Sequence, residues 1–199
     1  MEDLFRKRPG IKDTEVIYLG GQNENPTYRN HPGHAEGIEL TYDSSVTSFK
    51  EILDYFFRIH NPTTVDRQGN DIGSSYRSAI FFQNEEEKQE IKSKIARTYY
   101  LLGSHYNYSA KKYAISIAYY EKALQWNEND SDTAYDIGYI YKGGLMGKNF
   151  DSTFKKDKKK IMYWREKVCE IYSRIATQND NSKTNVAKVY CDLAKQNLK

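Results

Sequence analysis

Gly33-His34-Ala35-Glu36-Gly37-Ile38-Glu39-Leu40-Thr41-Tyr42 is the stretch that decides the fold of the first half of this 199-residue chain. From Ile38 onward apolar and polar residues alternate, which is typical of a strand with one buried face. A second strand is predicted upstream, over Thr14-Glu15-Val16-Ile17-Tyr18-Leu19, and Gly20-Gly21 stops it. The loop that joins the two strands is polar and rich in Asn, Gly and Pro, so it is a place where functional side chains are displayed.

A helix is predicted after this strand. Ser48 is its N-cap and Glu51, three residues on, completes a capping box. Its apolar face consists of Phe49, Ile52, Leu53, Phe56 and Phe57, and it ends near His60-Asn61-Pro62. A loop over 63–75 leads to another predicted strand, Tyr76-Arg77-Ser78-Ala79-Ile80-Phe81-Phe82. Strands that alternate with a helix predict an α+β domain over residues 1–91.

The sequence after Asn84 is helical in pattern and contains an internal repeat. Leu102-Gly103-x-x-Tyr106 recurs as Ile137-Gly138-x-x-Tyr141, 35 residues on, and the segment 117–123 recurs over 161–168. A period near ~34 residues with small residues between paired helices resembles the tetratricopeptide repeat, and the glycines and longer loop that follow resemble the Sel1 type. We therefore predict an all-α tetratricopeptide-like array over 92–199. An amphipathic bundle whose motifs agree by chance is the alternative.

Within this array, Gly103, Gly138 and Ala123 are expected to let helices approach closely while aromatic side chains fill the spaces between layers. A terminal helix is predicted over Val186 to Leu198. About two repeats lie near the minimum of ~3 that gives such an array independent stability.

The two halves differ in charge. Residues 1–91 hold 10 Lys and Arg against 16 Asp and Glu, whereas residues 92–199 hold 20 against 11. Much of the positive charge lies in Lys155-Lys156-Asp157-Lys158-Lys159-Lys160, which we interpret as a solvated loop leading into a helix. We therefore expect no nucleic-acid partner.

Hydropathy and cysteine content favour a cytoplasmic protein. No stretch approaches the ~20 apolar residues of a membrane span, so no membrane partner is expected, and the N-terminus lacks the apolar core of a secretory signal. The two cysteines, Cys169 and Cys191, have no metal-ligand spacing around them. This usage suits a reducing compartment, predicts no bound metal and argues against a disulfide framework.

Four residues of the first half are candidates for chemistry. Tyr28, Glu36, Asp71 and Tyr76 each lie in or beside a loop that borders a strand. A carboxyl group flanked by two phenols can act as a proton donor, because burial raises a carboxyl pKa and phenol hydrogen bonds orient the group. Types and positions alone are also compatible with ordinary surface charges.

The motifs around these residues occur in a definite order. Gly20-Gly21-x4-Pro26-Thr27-Tyr28 comes first, Gly33-His34-Ala35-Glu36 second, and Arg67-Gln68-Gly69-Asn70-Asp71-x-Gly73-x-x-Tyr76-Arg77-Ser78-Ala79-Ile80 third. In this order they resemble the signatures of the peptide methionine sulfoxide reductase A family, over residues 2–91. Glu2-Asp3-Leu4-Phe5 also resembles the helix that follows the active-site cysteine of that family.

The resemblance implies an incomplete α/β plait and the activity of a peptide-methionine (S)-S-oxide reductase, an oxidoreductase that repairs proteins after oxidative stress. In that family a cysteine thiolate attacks the sulfoxide sulfur and becomes a sulfenic acid, which a second thiol and finally thioredoxin discharge. By this resemblance Glu36 donates the proton that lets the oxygen leave, and Tyr28 and Tyr76 hold the oxygen. Asp71 would lie beside the nucleophile. No bound cofactor is implied.

The family's nucleophile belongs to a Gly-Cys-Phe-Trp-Gly segment that would lie immediately before Met1. The C-terminal portion of the family's domain would follow after about residue 91, and we predict that the repeats replace it. The chain is therefore expected to be inactive as written, the product of a mis-started or rearranged gene, since loss of a covalent nucleophile costs on the order of a millionfold in rate. Recruitment of Cys169 or Cys191 as the nucleophile is the alternative.

Three functions are open from the sequence. The chain is a reductase by descent, a module whose repeats bind a peptide or partner protein, or a site that binds methionine sulfoxide without reducing it. Tyr106, Tyr119, Tyr120 and Tyr141 are either contacts for such a ligand or packing between helices.

Overall fold

The computed structural model describes residues 1–62, 64–142, 157–177, 188–189, 191–193 and 195. The chain forms two compact units, Met1–Ile91 and Lys92–Lys199. In the predicted terminal helix, residues 188–189, 191–193 and 195 are helical, and its other positions lie outside the described residues, as do 155 and 156 of the lysine-rich run. No helix in the described part of the chain is long and apolar enough to span a membrane.

The first unit is built on a pair of long antiparallel strands, β1 (Ile11–Leu19) and β2 (Ala35–Tyr42). Both predicted strands are confirmed, and β1 begins three residues earlier than expected. In their register Val16 faces Ile38 and Tyr18 faces Glu36, so these four side chains lie on one side of the sheet. Mixed helix and strand content is therefore confirmed, while the α/β plait stays a prediction.

Two helices accompany this sheet. Helix α1 (Glu2–Arg6) buries Phe5, whose ring meets the edge of Tyr55 in α2 (Phe49–Ile59) at a centroid distance of 5.3 Å. The capping box of α2 is present: the Ser48 hydroxyl accepts from the Glu51 backbone N–H at 3.2 Å, and the Glu51 carboxylate accepts from the Ser48 N–H at 2.9 Å. Both bonds satisfy amides that a helix start otherwise leaves unpaired.

The strand predicted over 76–82 is wrong. A two-residue hairpin, β3 (Arg67–Gln68) and β4 (Asp71–Ile72), is followed by a 3₁₀ turn at Ser74–Tyr76, and residues 77–82 have no regular structure. Among the described residues no strand pairs with this segment. Its apolar character serves packing instead, because Phe81 lies so close to Gly20 that a Cβ there would approach its ring within 2.7 Å.

The helices that follow are α3 (Glu85–Ser104), α4 (Tyr113–Trp126), α5 (Ser131–Lys142) and α6 (Lys158–Thr177). A π-helical turn, His105–Ser109, joins α3 to α4. The core of the second unit consists of apolar side chains from α4, α5 and α6 and from Cys191. Lys158–Lys160, predicted as part of a loop, form the first turn of α6, and the Asp157 carboxylate accepts from the backbone N–H groups of Lys159 and Lys160.

The two glycines of the sequence repeat make equivalent contacts. A Cβ at Gly103 would come within 2.5 Å of the Tyr120 ring, and one at Gly138 within 3.3 Å of the Trp164 Cβ. Tyr120 and Trp164 are themselves 44 positions apart, the offset of the second repeated motif. The close helix approaches expected at both glycines are therefore present, while the assignment to a tetratricopeptide array stays a prediction.

Of the two alternatives for the tyrosines, packing holds for Tyr120, which is fully buried, and for Tyr141, which is 7% exposed. The expectation that argued against a disulfide is wrong: Cys169 and Cys191 form one, with their Cα atoms 4.7 Å apart. Two cysteines separated by 22 residues give no sequence signal of this proximity, because it depends on how the segment around Cys191 folds onto α6.

Candidate functional site

The predicted acid, Glu36, is the second residue of β2 and is solvent-exposed, contrary to the expected burial. Its cross-strand neighbour Tyr18 donates a long hydrogen bond from its hydroxyl to Glu36 Oε2, at 3.4 Å. Burial of the half-buried Tyr18 raises its pKa, and the Glu36 carboxylate raises it further, because a phenolate beside a carboxylate is disfavoured. The phenol therefore stays a hydrogen-bond donor at neutral pH.

Tyr76 brings a second phenol to the same carboxylate. It ends the 3₁₀ turn, and the charge of Glu36 is the largest cause of its raised pKa, ahead of burial. The carboxylate of Asp71, on β4, raises the pKa of Tyr76 as well. The charges of both predicted acidic residues therefore act on Tyr76, and Glu36 has the larger effect.

Tyr28 lies in the loop between β1 and β2 and is 75% exposed. The loop is narrowed at this point by paired backbone hydrogen bonds between Thr27 and Asn30, at 2.9 and 3.0 Å. Tyr28 makes a smaller contribution to the raised pKa of both Tyr18 and Tyr76, so it lies on the same side of the unit as these two phenols. Among the described residues, Tyr18 is the phenol that hydrogen-bonds to Glu36.

The segments that carry these groups are joined by side chains that sequence reasoning missed. Arg77, directly after Tyr76, donates to the carbonyls of Gly33 and His34 at 3.0 and 3.2 Å, three and two residues before Glu36. His31 hydrogen-bonds to the Thr27 carbonyl and to Ser75. The sequence carries no comparable signal for Arg77 or His31. For Tyr18 it does, because pairing the two predicted strands puts Tyr18 opposite Glu36.

His34 itself is buried under Gly21. A Cβ at Gly21 would lie 1.8 Å from His34 Nδ1, so only glycine fits there. This contact explains why glycine is found at position 21, just after the end of β1. It also keeps the entry to β2, and hence Glu36, against the end of β1.

A second polar cluster lies in the core of the helical unit. Tyr100 donates to Asp136 Oδ2 at 3.3 Å, and Tyr120 shares a 3.2 Å hydrogen bond with Ser104. Burial raises the pKa of Asp136 to about 6, and the hydrogen bonds from Tyr120 and Tyr100 only partly oppose this. Burial likewise raises the pKa of Tyr100 to about 12. This cluster was not predicted from the sequence.

No set of three or more His, Cys, Asp or Glu side chains within the described ranges is placed to bind a metal ion. The site around Glu36 combines its carboxylate with the phenols of Tyr18 and Tyr76, and the imidazole of His31 stacks on Tyr18. This set of groups is suited to holding a polar oxygen and donating a proton to it.

Comparison with known proteins gives these groups a context. A family model described as peptide methionine sulfoxide reductase matches residues 1–129, about two thirds of the chain. The chain belongs to this family. Its match extends beyond residue 91, where the resemblance read from the motifs ended, through α4.

Three members of the peptide methionine sulfoxide reductase family illustrate the similarity. MsrA of Mycobacterium sp. (strain MCS) is 58% identical over 96 residues, which are 48% of this chain and 56% of that protein. MsrA of Mycolicibacterium gilvum is 61% identical over 89 residues, 45% of this chain and 53% of that protein. MsrA 2 of Rhodopirellula baltica is 58% identical over 89 residues, again 45% of this chain and 53% of that protein.

A solved structure, methionine sulfoxide reductase A of Corynebacterium diphtheriae, is 33% identical to this member of the family with a TM-score of 0.43, covering 48% of this chain and 50% of that one. The chain spans about half the length of the curated relatives it matches.

Proposed function

We propose that the Glu36 site is the proton-donor side of a peptide-methionine (S)-S-oxide reductase site. The observation that carries this proposal is that Tyr18 donates a hydrogen bond to the Glu36 carboxylate and that the charge of this carboxylate is the main cause of the raised pKa of Tyr76. A sulfoxide oxygen is a strong hydrogen-bond acceptor, and phenols held as donors are suited to bind it. Glu36 is the acid, Tyr28 and Tyr76 hold the oxygen, and Asp71 supports Tyr76.

The proposed reaction proceeds in two balanced stages. A cysteine thiol takes the oxygen of the sulfoxide, so that methionine sulfur gains two electrons and cysteine sulfur, now a sulfenic acid, loses two. A second thiol then forms a disulfide with the sulfenic sulfur and releases water. Thioredoxin or another dithiol reduces that disulfide, and no bound cofactor takes part. Glu36 supplies the proton that turns the sulfoxide oxygen into a leaving group.

We further propose that residues 1–199 do not complete this reaction by themselves. Their cysteines are Cys169 and Cys191, which are joined to each other and present no thiolate until that disulfide is reduced. A positioned general acid is worth about 10²–10⁴ in rate, far less than the covalent nucleophile it assists. The site would then bind methionine sulfoxide without reducing it.

The test compares the 199-residue chain with a chain extended at its N-terminus by the Gly-Cys-Phe-Trp-Gly segment that the family resemblance implies. Turnover of a methionine-S-sulfoxide peptide is measured with a dithiol reductant. We expect no activity above the reductant-only control for the first chain and clear activity for the second. Activity of the unextended chain that Cys169→Ser or Cys191→Ser abolishes would overturn the proposal, because that cysteine would be the nucleophile.

Matched substitutions in β2 test the role of the acid. Glu36→Gln in the extended chain should lower turnover by about 10²–10⁴. Glu39→Gln is the control, since Glu39 is equally exposed, lies on the opposite side of the same strand and faces Glu15. Equal losses in the two variants would show that Glu36 has no special part in the reaction.

For residues 92–199 we propose a second function, binding of a peptide or partner protein by a short helical repeat. The equivalent contacts of Gly103 and Gly138 with Tyr120 and Trp164 support it. Selection of displayed peptides on the immobilised chain tests this function. Enriched peptides should lose binding when the half-buried stacked rings of Tyr106 and Tyr119 are replaced by alanine, and a selection without enrichment contradicts it.

A further inference from the structure

Three separate segments supply the groups of the Glu36 site, and one imidazole connects them. Tyr28 comes from the β1–β2 loop, Tyr18 from β1, and Tyr76 from the 3₁₀ turn. We infer that His31 is the positioning residue of this site: its ring stacks on Tyr18, and its two nitrogens tie the Tyr28 loop to the Tyr76 turn. The importance of this positioning for a reaction rests on the proposed function, whereas the contacts of His31 do not depend on it.

The two hydrogen bonds of His31 fix its tautomer. Nδ1 lies 2.9 Å from the carbonyl oxygen of Thr27, which can only accept, so Nδ1 carries the hydrogen. In the neutral imidazole Nε2 then has a free lone pair and accepts from the Ser75 hydroxyl, 3.0 Å away. Thr27 and Ser75 are the residues directly before Tyr28 and Tyr76. Each hydrogen bond therefore acts one residue away from a phenol of the site.

The face of the His31 ring contacts the third phenol, that of Tyr18. The centroids of His31 and Tyr18 are 4.5 Å apart and their planes differ by 20°, so the rings are stacked. Stacking restricts rotation of the Tyr18 ring about its side-chain bonds. Its hydroxyl is thereby kept on the side of β1 where Glu36 accepts the 3.4 Å hydrogen bond.

Arg77 provides a second connection of a different kind. Among the described residues, its guanidinium hydrogen-bonds to the backbone carbonyls of Gly33, His34 and Ser74, so it fixes the path of the chain into β2. His31, by contrast, contacts all three phenol-bearing segments, through the Thr27 carbonyl, the Ser75 hydroxyl and the Tyr18 ring. Loss of Arg77 should displace backbone, whereas loss of His31 should leave β2 in place and release the phenols.

A matched pair of hydroxyl deletions distinguishes this positioning from simple stabilisation. His60 repeats the arrangement of His31 elsewhere in the unit: its ring stacks on Phe56 at 4.6 Å, and its Nε2 lies 2.7 Å from the Ser78 hydroxyl. Ser75→Ala removes one bond of His31, and Ser78→Ala removes the corresponding bond of His60. Both substitutions delete a hydroxyl group within two residues of Tyr76.

The measurement is NMR of the whole 199-residue chain labelled at histidine and tyrosine. The His31 imidazole should show the Nδ1–H tautomer, and Ser75→Ala should move its Nε2 resonance toward that of an unbonded ring nitrogen. In that variant the pKa of Tyr76 should fall, because its turn is released from Glu36, while Tyr18 keeps its raised pKa. His31→Ala should lower the pKa of both phenols, and Ser78→Ala should change neither.

The inference is overturned if Ser75→Ala and Ser78→Ala give the same Tyr76 titration. Far-UV circular dichroism checks that each variant folds, and the two serine variants decide the question if His31→Ala does not fold. Failure of the extended chain to reduce methionine sulfoxide would refute the proposed function and leave these spectra unaffected. The two ideas can therefore fail independently.

Discussion

Replacement of Asp136 by Asn should change how the stability of the helical unit depends on pH. Asp136 lies in α5, half-buried, with the Tyr100 hydroxyl donating to its Oδ2 at 3.3 Å. Burial is the main cause that raises the pKa of its carboxyl from 3.8 to about 6, and the charges of Asp132 and Asp130 add to it. Asparagine keeps the shape and an acceptor oxygen for Tyr100 but cannot ionise.

The size and direction of the effect follow from proton linkage. A carboxyl whose pKa is higher in the folded state binds more protons there, so the stability it contributes is fully present below the unfolded pKa and is lost as pH rises through the folded one. A shift of about 2 units corresponds to roughly 3 kcal/mol, and partial exposure reduces this to about 1–3 kcal/mol. Relative to Asp136→Asn, the native chain should weaken between about pH 4 and about pH 6 and change little above that.

Urea unfolding followed by tryptophan fluorescence measures this directly. Trp126 and Trp164 are the two tryptophans of the chain and both lie in the second unit, so their signal reports that unit alone. Tyr100→Phe is the control: the lost hydrogen bond had lowered the pKa of Asp136, so the pH range of weakening should extend upward. A stability difference between native chain and Asp136→Asn that stays constant from about pH 4 to about pH 7 refutes the reasoning.

Three further predictions concern single contacts. Glu36→Gln should lower the pKa of Tyr76, because the carboxylate charge is the main cause that raises it; an unchanged tyrosine titration by NMR contradicts this. Gly103→Ala should destabilise the helical unit by about 1–2 kcal/mol in urea unfolding, because the new methyl would overlap the buried Tyr120 ring, at a cost that exceeds the gain in helix propensity. Ser48→Ala should cost about 1 kcal/mol through loss of the N-cap, visible as faster amide hydrogen exchange in the first turn of α2, and equal exchange rates would argue against the capping box.

The parts of the fold that could be predicted depend on short-range signals. Alternation placed β2 at 35–42, and the Ser48–Glu51 pair placed the start of α2, because both features act over a few residues. The apolar run at 76–82 carries a similar local signal, but a strand also needs a partner for its backbone groups. Phe81 contacts Gly20 instead, a long-range arrangement that no local pattern contains.

The residues of the candidate site also differ in how far they could be predicted from the sequence. The family resemblance implied that Glu36 and Tyr76 act on the same oxygen, and in the structure the charge of Glu36 is the main cause of the raised pKa of Tyr76. Tyr18 was within reach of prediction, since pairing the two predicted strands places it opposite Glu36. The contacts of His31 with Ser75 and of Arg77 with Gly33 could not be predicted, because each joins residues 44 positions apart and depends on how a loop closes.

The segment 92–129 belongs both to the region matched by the family model and to the second compact unit. The family match includes it, whereas the first compact unit stops at Ile91 and pairwise similarity to relatives extends over 89–96 residues. Its buried groups are paired within the helical unit: the Ser116 hydroxyl donates to the Gly103 carbonyl at 2.8 Å, and Tyr120 belongs to the same core as Ile137 of α5. A core is defined by which side chains exclude water together, and sequence similarity can extend past that limit. Physically, therefore, α4 belongs to the helical unit, and similarity in sequence alone does not make it part of the Glu36 site.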